Sequence, residues 1–388
     1  MADQRIRYGM VGGGEGAFIG EVHRMAARLD GRFELVCGAF SSNETRSLNS
    51  GKALGLVEKR CYAYFFTMCE IEHSLPEEQR MQCVVIVTPN HTHFGIAATA
   101  LKHGFHVLSD KPATATLDEC RQLAWLLEDN NLLYGLTHTY TGYPMIREAR
   151  ERIAAGQLGS VRKILVEYTQ GWLAEKEEDD DNPQAAWRLD PEKAGSSCCM
   201  GDIGVHAFNL VEFVSGLAVT ELNAELNRIV EERVLDDDGT VLLHFENGAH
   251  GTLIASQICV GDENNLRLRI YGDKASLDWQ QMEPNTLWIK YNDKPTEMIR
   301  TGTAATGPGA AANTRIPPGH PEGYIEAFAN LYRTFADEIV AAINGEVIDK
   351  TIPGIDDALR GMAFIETTVA SSDEGNVWKT MPDNFSNE

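Results

Sequence analysis

Lys111, inside Asp110-Lys111-Pro112, and Asp202 with His206, inside Asp202-Ile203-Gly204-Val205-His206, supply an ammonium, a carboxylate and an imidazole. Those are the groups needed to take a proton from a carbinol while its hydride leaves. Asp202 and His206 are four residues apart. On a helix they share one face and can hydrogen-bond, which fixes the imidazole tautomer and raises its basicity. Lys111 stands between an apolar strand-like run and a proline, a place that points to a crevice rather than open surface.

A departing hydride needs an acceptor, and the segment Met10-Val11-Gly12-Gly13-Gly14-Glu15-Gly16-Ala17-Phe18-Ile19-Gly20 is the candidate for holding one. A glycine loop between a strand and a helix lets backbone amides approach a pyrophosphate, so Gly12, Gly13, Gly14, Gly16, Ala17 and Phe18 are candidate dinucleotide contacts. Gly12 and Gly14 fit the first two positions of the fingerprint. The third falls on Ala17, or on Gly20 if the loop is longer. After the second strand come Ser41-Ser42-Asn43-Glu44, then Arg46. Ser41, Ser42 and Arg46 could accept the 2'-phosphate of NADP; alternatively Ser42 or Asn43 caps the next helix and Glu44 reaches the ribose of NAD. The choice between NAD and NADP stays open at this point. Thr88-Pro89-Asn90-His91-Thr92-His93 leaves the third strand at its carboxyl end, so Thr88, Pro89, Asn90 and His93 are expected to meet the nicotinamide half, with Asp110 and Lys111 ending the next strand beside them.

These residues need a frame. Apolar runs at 5–11, 33–39, 83–87, 106–109 and 132–137 suit strands buried on both faces, and helical spacing appears between them at 20–29, 43–54, 93–103 and 117–130. The alternation predicts an α/β, doubly wound parallel sheet over residues 1–137. From residue 138 the pattern changes. A helix at 143–155 precedes strand-like segments at 161–170, 222–229, 240–245, 251–258, 266–271, 275–279 and 287–291, joined by turn signals at Asp238-Gly239, Asn247-Gly248 and Gly272-Asp273. This predicts an α+β domain over 138–388 with an antiparallel sheet and closing helices at 323–343 and 356–371. Residues 301–318, rich in Gly, Ala and Pro, read as an excursion or lid. The acidic run at 175–181 reads as a solvated loop.

Fifty-seven acidic against thirty-four basic side chains give a formal charge of -23, which repels nucleic acid and anionic membrane surfaces. No stretch reaches the roughly 18 apolar residues of a membrane span, and the expected location is cytoplasmic. Eight scattered cysteines lack the Cys-x-x-Cys spacing of a zinc site, so no metal is expected and most of the thiols are expected to be reduced and buried, with Cys198 and Cys199 read as small packed residues.

Together the glycine loop, Thr88-Pro89-Asn90 with His93, Asp110-Lys111-Pro112, and Gly201-Asp202-Ile203-Gly204-Val205-His206 resemble the glucose-fructose oxidoreductase / inositol dehydrogenase (Gfo/Idh/MocA) family in order and spacing. Trp187-Arg188 and Gly319-His320-Pro321-Glu322-Gly323 extend the likeness over nearly the whole chain. The resemblance implies a Rossmann domain followed by an open-sheet domain, homodimers or homotetramers, and NAD(P)-dependent oxidation or reduction of sugars and cyclitols. By that likeness Lys111, Asp202 and His206 are catalytic, with Lys111 holding the substrate oxygen and the nicotinamide ribose. Tyr140, Trp172, Trp187, Arg188 and His320 are then candidate substrate contacts beside them. The chain departs from the pattern at Asp110, where glutamate is usual, at Asn209, where aspartate is common, and in its longer glycine loop. Some proteins resembling this family are glycosidases that oxidise the sugar transiently and eliminate the aglycone, including on anionic sugars, and at least one is a non-enzymatic sensor. The glycosidase is the second reading for this chain.

Overall fold

The computed structural model describes residues 5–128, 130–176, 183–347 and 351–382. The chain divides into two compact units, one of residues 1–138 and 328–359, the other of 139–327 and 360–388.

The first unit is built on a five-stranded parallel sheet of order β2-β1-β3-β4-β5, made of β1 (Ile6–Gly12), β2 (Phe33–Ala39), β3 (Cys83–Val87), β4 (His106–Ser109) and β5 (Tyr134–Leu136). Burial on both faces explains the continuous apolar runs: every residue of β3, Cys-Val-Val-Ile-Val, is inside. Helices α1 (Phe18–Leu29), α2 (Glu44–Ala53), α3 (Phe65–Ser74), α4 (His93–Lys102) and α5 (Leu117–Glu128) form the crossovers. Helix α3 escaped the sequence reading. One of its three buried positions is Glu72, held by Arg60, the Tyr62 hydroxyl and the Met81 amide, so its inward face carries a carboxylate where an apolar period was sought.

The strand order reverses at β1, which lies between β2 and β3, with Gly12 opposite Val87 and Ile86 opposite Ser109. The glycine loop, Thr88 and Asp110 therefore leave adjacent strands at the carboxyl edge where open parallel sheets bind ligands.

A single cut at residue 137 does not describe this unit. From Phe328, helix α11 (Tyr324–Asn344; α6 to α10 are placed below) belongs to it. Tyr332 shares a 2.7 Å hydrogen bond with His23 and meets Phe33 edge-on at 5.1 Å, while the Leu136 amide donates to the Pro353 carbonyl. Apolar burial, not chain order, assigns the helix to this unit.

The second unit holds a nine-stranded sheet of order β13-β12-β11-β10-β6-β9-β8-β7-β14. Its strands are β6 (Val161–Thr169), β7 (Val219–Asn227), β8 (Asp238–Phe245), β9 (His250–Ser256), β10 (Asn265–Gly272), β11 (Ser276–Gln280), β12 (Thr286–Lys290), β13 (Glu297–Arg300) and β14 (Lys379–Thr380). All neighbours are antiparallel except β6 with β9, so the sheet is mixed at one seam. The two-residue period sorts the faces. A buried row runs across it through Ala224, Val241, Leu253, Val166, Leu268 and Trp279. The neighbouring row, on the other face, passes Leu242, Thr252, Leu165, Arg269, Asp278, Trp288 and Met298. Helices α6 (Pro144–Ala154) and α9 (Val205–Ser215) pack on the sheet, and α12 (Ile355–Asp373) stacks Phe364 on Phe208 of α9 at 4.4 Å.

Two expectations need correction here. Asp238-Gly239 is not a turn but the first two residues of β8, paired with Asn227 and Leu226. Residues 301–318 are no loose excursion: α10 (Pro308–Ala312) lies within them, and the Gly307 and Gly309 amides donate to Glu148 and Glu151 of α6. Of the acidic run, residues 177–181 lie outside the described residues. Among the described residues, no helix is long and apolar enough to cross a membrane.

Candidate active site

Chemistry-bearing residues occur in both units, and each set is built by its own surroundings. In the first unit Gly12 and Gly13 have φ of 83° and 70°, open to glycine and strained for other residues. A Cβ on Gly20 would fall 2.3 Å from the Gly13 Cα. Gly20, not Ala17, is thus the third glycine of the fingerprint, where helix meets loop. Ala17 stands at the N-cap of α1 with no side-chain acceptor, which leaves first-turn amides to a ligand. Gly16 has φ of 81° with open space where a Cβ would stand, and Phe18 is 71% exposed. Such a cradle fits a dinucleotide pyrophosphate.

The segment after β2 is occupied by capping. Asn43 accepts from the Arg46 amide at 2.9 Å, and the Ser41 hydroxyl accepts from the Asn43 amide at 3.2 Å. Ser42, Glu44 and Arg46 are exposed. Thr88 accepts from the Thr92 hydroxyl at 2.7 Å, and Pro89 and buried Asn90 open the turn into α4. His93 is 1% exposed, its Nδ1 2.8 Å from the Pro112 carbonyl and its Nε2 2.7 Å from the Thr88 carbonyl. It fastens two strand ends together and is a support for the crevice rather than a surface within it. Burial lowers its pKa against the pull of both carbonyls. Asp110 has the same character: Oδ1 accepts from the Lys111 amide and the Thr137 hydroxyl, setting the backbone that carries Lys111.

In the second unit Asp202 lies in a π-helical turn, Met200–Gly204, that runs into α9 with His206 in its first turn. Such turns are frequent at functional sites. Its cap comes from Asp236, buried at the entrance to β8, which accepts from the Ser197 hydroxyl and the Cys198 and Met200 amides, each at 2.9 Å. Burial pushes the Asp236 pKa up, opposed by those bonds. The Asp202 carboxylate accepts from Gln257 Nε2 at 3.0 Å and pairs with Arg188 Nε at 3.2 Å. Gln257 is fully buried, and its Oε1 accepts from the Cys198 thiol at 3.5 Å. Cys198 and Cys199 are buried as expected, and burial raises both thiols well above the ordinary value.

The helices α7 (Pro183–Arg188) and α8 (Pro191–Ala194) precede this turn. The Arg188 guanidinium lies 4.3 Å from the Trp187 ring centre and 5.9 Å from that of Trp172, so Trp172, Trp187, Arg188 and Asp202 form one wall. His206 is 9% exposed and meets Tyr140 edge-to-face at 4.9 Å. Tyr140 is 5% exposed with its hydroxyl engaged by Tyr168 and Asn264, which makes it a neighbour of the imidazole more than an open substrate contact. Asn209, one turn after His206, is buried. His320 is exposed on a turn, its Nδ1 3.1 Å from the Pro317 carbonyl. Gln257, Asp236, Tyr168 and Asn264 were not legible as site residues, since no local motif marks them.

A glycine cradle at a sheet's switch point in one unit, and a supported imidazole on a helix in the other, define a dinucleotide-dependent oxidoreductase. Residues 6–138 match the oxidoreductase family with the NAD-binding Rossmann fold and residues 146–278 the GFO/IDH/MocA C-terminal domain; the chain belongs to the GFO/IDH/MocA family. It is 33% identical over 379 residues to the uncharacterized oxidoreductase YfiI of Bacillus subtilis (strain 168), covering 96% of each chain. It is 24% identical over 328 residues to a levoglucosan dehydrogenase of Pseudarthrobacter phenanthrenivorans, covering 79% of this chain and 81% of that one. An inositol dehydrogenase homolog from Azotobacter vinelandii, solved with NADH and myo-inositol, superposes with a TM-score of 0.90 at 34% identity over 97% of this chain and 98% of that one. The protein is an NAD-dependent enzyme of a family of sugar and inositol oxidoreductases.

Proposed function

We propose that the enzyme oxidises a secondary ring hydroxyl of an uncharged sugar or cyclitol, with Lys111, Asp202 and His206 as the catalytic set. The observation that carries this reading is the support of Asp202 by Gln257 and Arg188 next to a buried, ring-packed His206. His206 takes the hydroxyl proton at an imidazole nitrogen, Asp202 stabilises the imidazolium, and Lys111 holds the alcohol oxygen. Bound NAD+ supplies the hydride acceptor. Gly12, Gly13, Gly14, Gly16, Ala17 and Phe18 would cradle its pyrophosphate, with Thr88, Pro89, Asn90 and Lys111 at the nicotinamide end.

NAD is favoured over NADP because Ser41 and Asn43 are committed to capping α2, while Glu44 opposes a second phosphate at its start. Arg188 already faces the Asp202 carboxylate, which favours a polyol over an anionic ring. The glycosidase reading draws on the same residues, and the same assay separates it. We further place the enzyme in a reducing compartment, the cytoplasm, on its free thiols, and as a homodimer or homotetramer joined through the outer sheet face, where Leu242, Trp288 and Met298 are 43%, 39% and 55% exposed.

The test is a panel of sugars, inositols and aryl glycosides with NAD+ or NADP+, following reduced cofactor and aglycone together. Stoichiometric NADH, abolished in Lys111→Met and His206→Ala, is expected. Aglycone release without net reduction would replace this reading with the glycosidase, and wild-type turnover in either variant would remove the catalytic assignment.

A further inference from the structure

Beside His206, Tyr140, Tyr168 and Asn264 close a ring of hydrogen bonds that the roles above leave unused. Its direction follows from donor counting. The Asn264 Nδ2 amide donates to the Tyr140 hydroxyl at 3.1 Å, and the Tyr168 hydroxyl donates to Asn264 Oδ1 at 2.7 Å. Tyr168 has one proton and has spent it, so in the hydroxyl pair of Tyr140 and Tyr168 it is Tyr140 that donates. Each member then gives one bond and receives one. The Asn264 amide is held from outside as well: Gln170 Nε2 donates to its Oδ1 at 2.8 Å, and Trp172 Nε1 donates to Gln170 Oε1 at 2.9 Å.

Phenylalanine would pack at both tyrosine positions without burying a hydroxyl. Tyr140 and Tyr168 are 5% and 2% exposed, so their oxygens are held inside only because the ring satisfies them. Burial keeps both phenols neutral, which preserves the single direction of the ring. Of the proposed catalytic set, His206 packs directly against the ring's aromatic faces and edges. His206 lies 4.9 Å from the Tyr140 ring at an interplanar angle of 80°, and 6.4 Å from that of Tyr168.

We propose that the ring of Tyr140, Tyr168 and Asn264 is a positioning device for His206, which fixes the plane of its imidazole and ties that plane through Gln170 to the Trp172 wall. Tyr168, Asn264 and Gln170 are positioning residues, acting through Tyr140 and Trp172. The inference rests on the dehydrogenase reading for its kinetic arm only.

The experiment uses full-length protein with ¹³C-labelled histidine, the His206 ring signal being assigned by its loss in His206→Asn. Tyr168→Phe removes one hydroxyl from the ring, and Asn264→Leu, at a partly exposed position, opens it from the other side. In both variants the His206 signal is expected to move or split. With the ring alcohol that best reduces NAD+, kcat is expected to fall about 10- to 100-fold with KM within about twofold, the mark of a misplaced base. An unmoved His206 signal in both variants overturns the proposal. So does a loss of kcat matched by equal losses of NAD+ affinity and melting temperature, which would make the ring a packing element. A moved signal in a protein whose wild type oxidises no ring alcohol would sink the dehydrogenase reading and leave the ring assignment standing.

Discussion

Gln257 offers the sharpest perturbation of the proposed acid–base pair. Its Nε2 donates to the Asp202 carboxylate at 3.0 Å, and the Asp202 side chain is only 17% exposed. A hydrogen bond to a charged group is worth roughly 1.5–3 kcal/mol. Arg188 retains part of the orientation, so Gln257→Leu is expected to lose about 1.4 kcal/mol of transition-state stabilisation, or tenfold in kcat/KM. That loss should be nearly independent of pH. Gln257→Glu behaves differently. Two carboxylates about 3 Å apart repel by roughly 5 kcal/mol at an effective dielectric constant near 20, before Arg188 offsets part of it, so the pair retains a proton above the ordinary carboxylate range. While protonated, the introduced carboxyl donates to Asp202 as the amide did. Once ionised it faces Asp202 without a donor. The ratio of variant to wild-type kcat/KM should therefore approach one near pH 5 and fall steadily towards about pH 8. The assay is NADH production from the best ring alcohol, with melting temperature as a folding control. A flat ratio for Gln257→Glu, or a Gln257→Leu enzyme within about twofold of wild type, would falsify the claim that Gln257 orients Asp202.

Other outcomes are equally specific. Gly20→Ala would press a Cβ onto the Gly13 backbone at 2.3 Å; calorimetry should show NAD+ affinity reduced at least about tenfold, with stability lower by about 1–3 kcal/mol. Burial holds His23 and His106 at about 4 and His138 at about 3, below the unfolded value of about 6.5. Lowered folded pKa values mean that the unfolded chain binds more protons, so stability is full above about pH 6.5 and drains as pH falls towards about 4. At pH 5 His106 alone should account for about 2 kcal/mol. His106→Asn, which keeps an acceptor for the Leu133 amide, should flatten the difference in urea midpoint between pH 7 and pH 5, and an unchanged slope would contradict the assignment. Leu242→Glu combined with Trp288→Glu places charge on the outer sheet face; light scattering should show a smaller assembly, and an unchanged mass would move the interface elsewhere.

The amino-acid sequence by itself determined the parallel sheet and supplied the residues proposed here for the chemistry. Strands buried on both faces leave uninterrupted apolar runs, so β2, β3 and β4 begin and end at the residues expected for them. The glycine loop, Lys111, Asp202 and His206 could be proposed from sequence because each belongs to a compact local pattern. Tertiary structure alone decided what such patterns cannot encode. Gly20 becomes the third glycine only when its helix touches the loop, and α11 joins the first unit through Tyr332 and His23, 309 residues apart in the chain. The turn that carries Asp202 is capped by Asp236, 36 residues beyond the Met200 amide it accepts from. Gln257 reaches Asp202 across 55 residues, and Tyr168 reaches Asn264 across 96. A hydrogen bond between distant residues imposes no spacing on its neighbours, so the supports of a catalytic group stay invisible until the chain has folded around them.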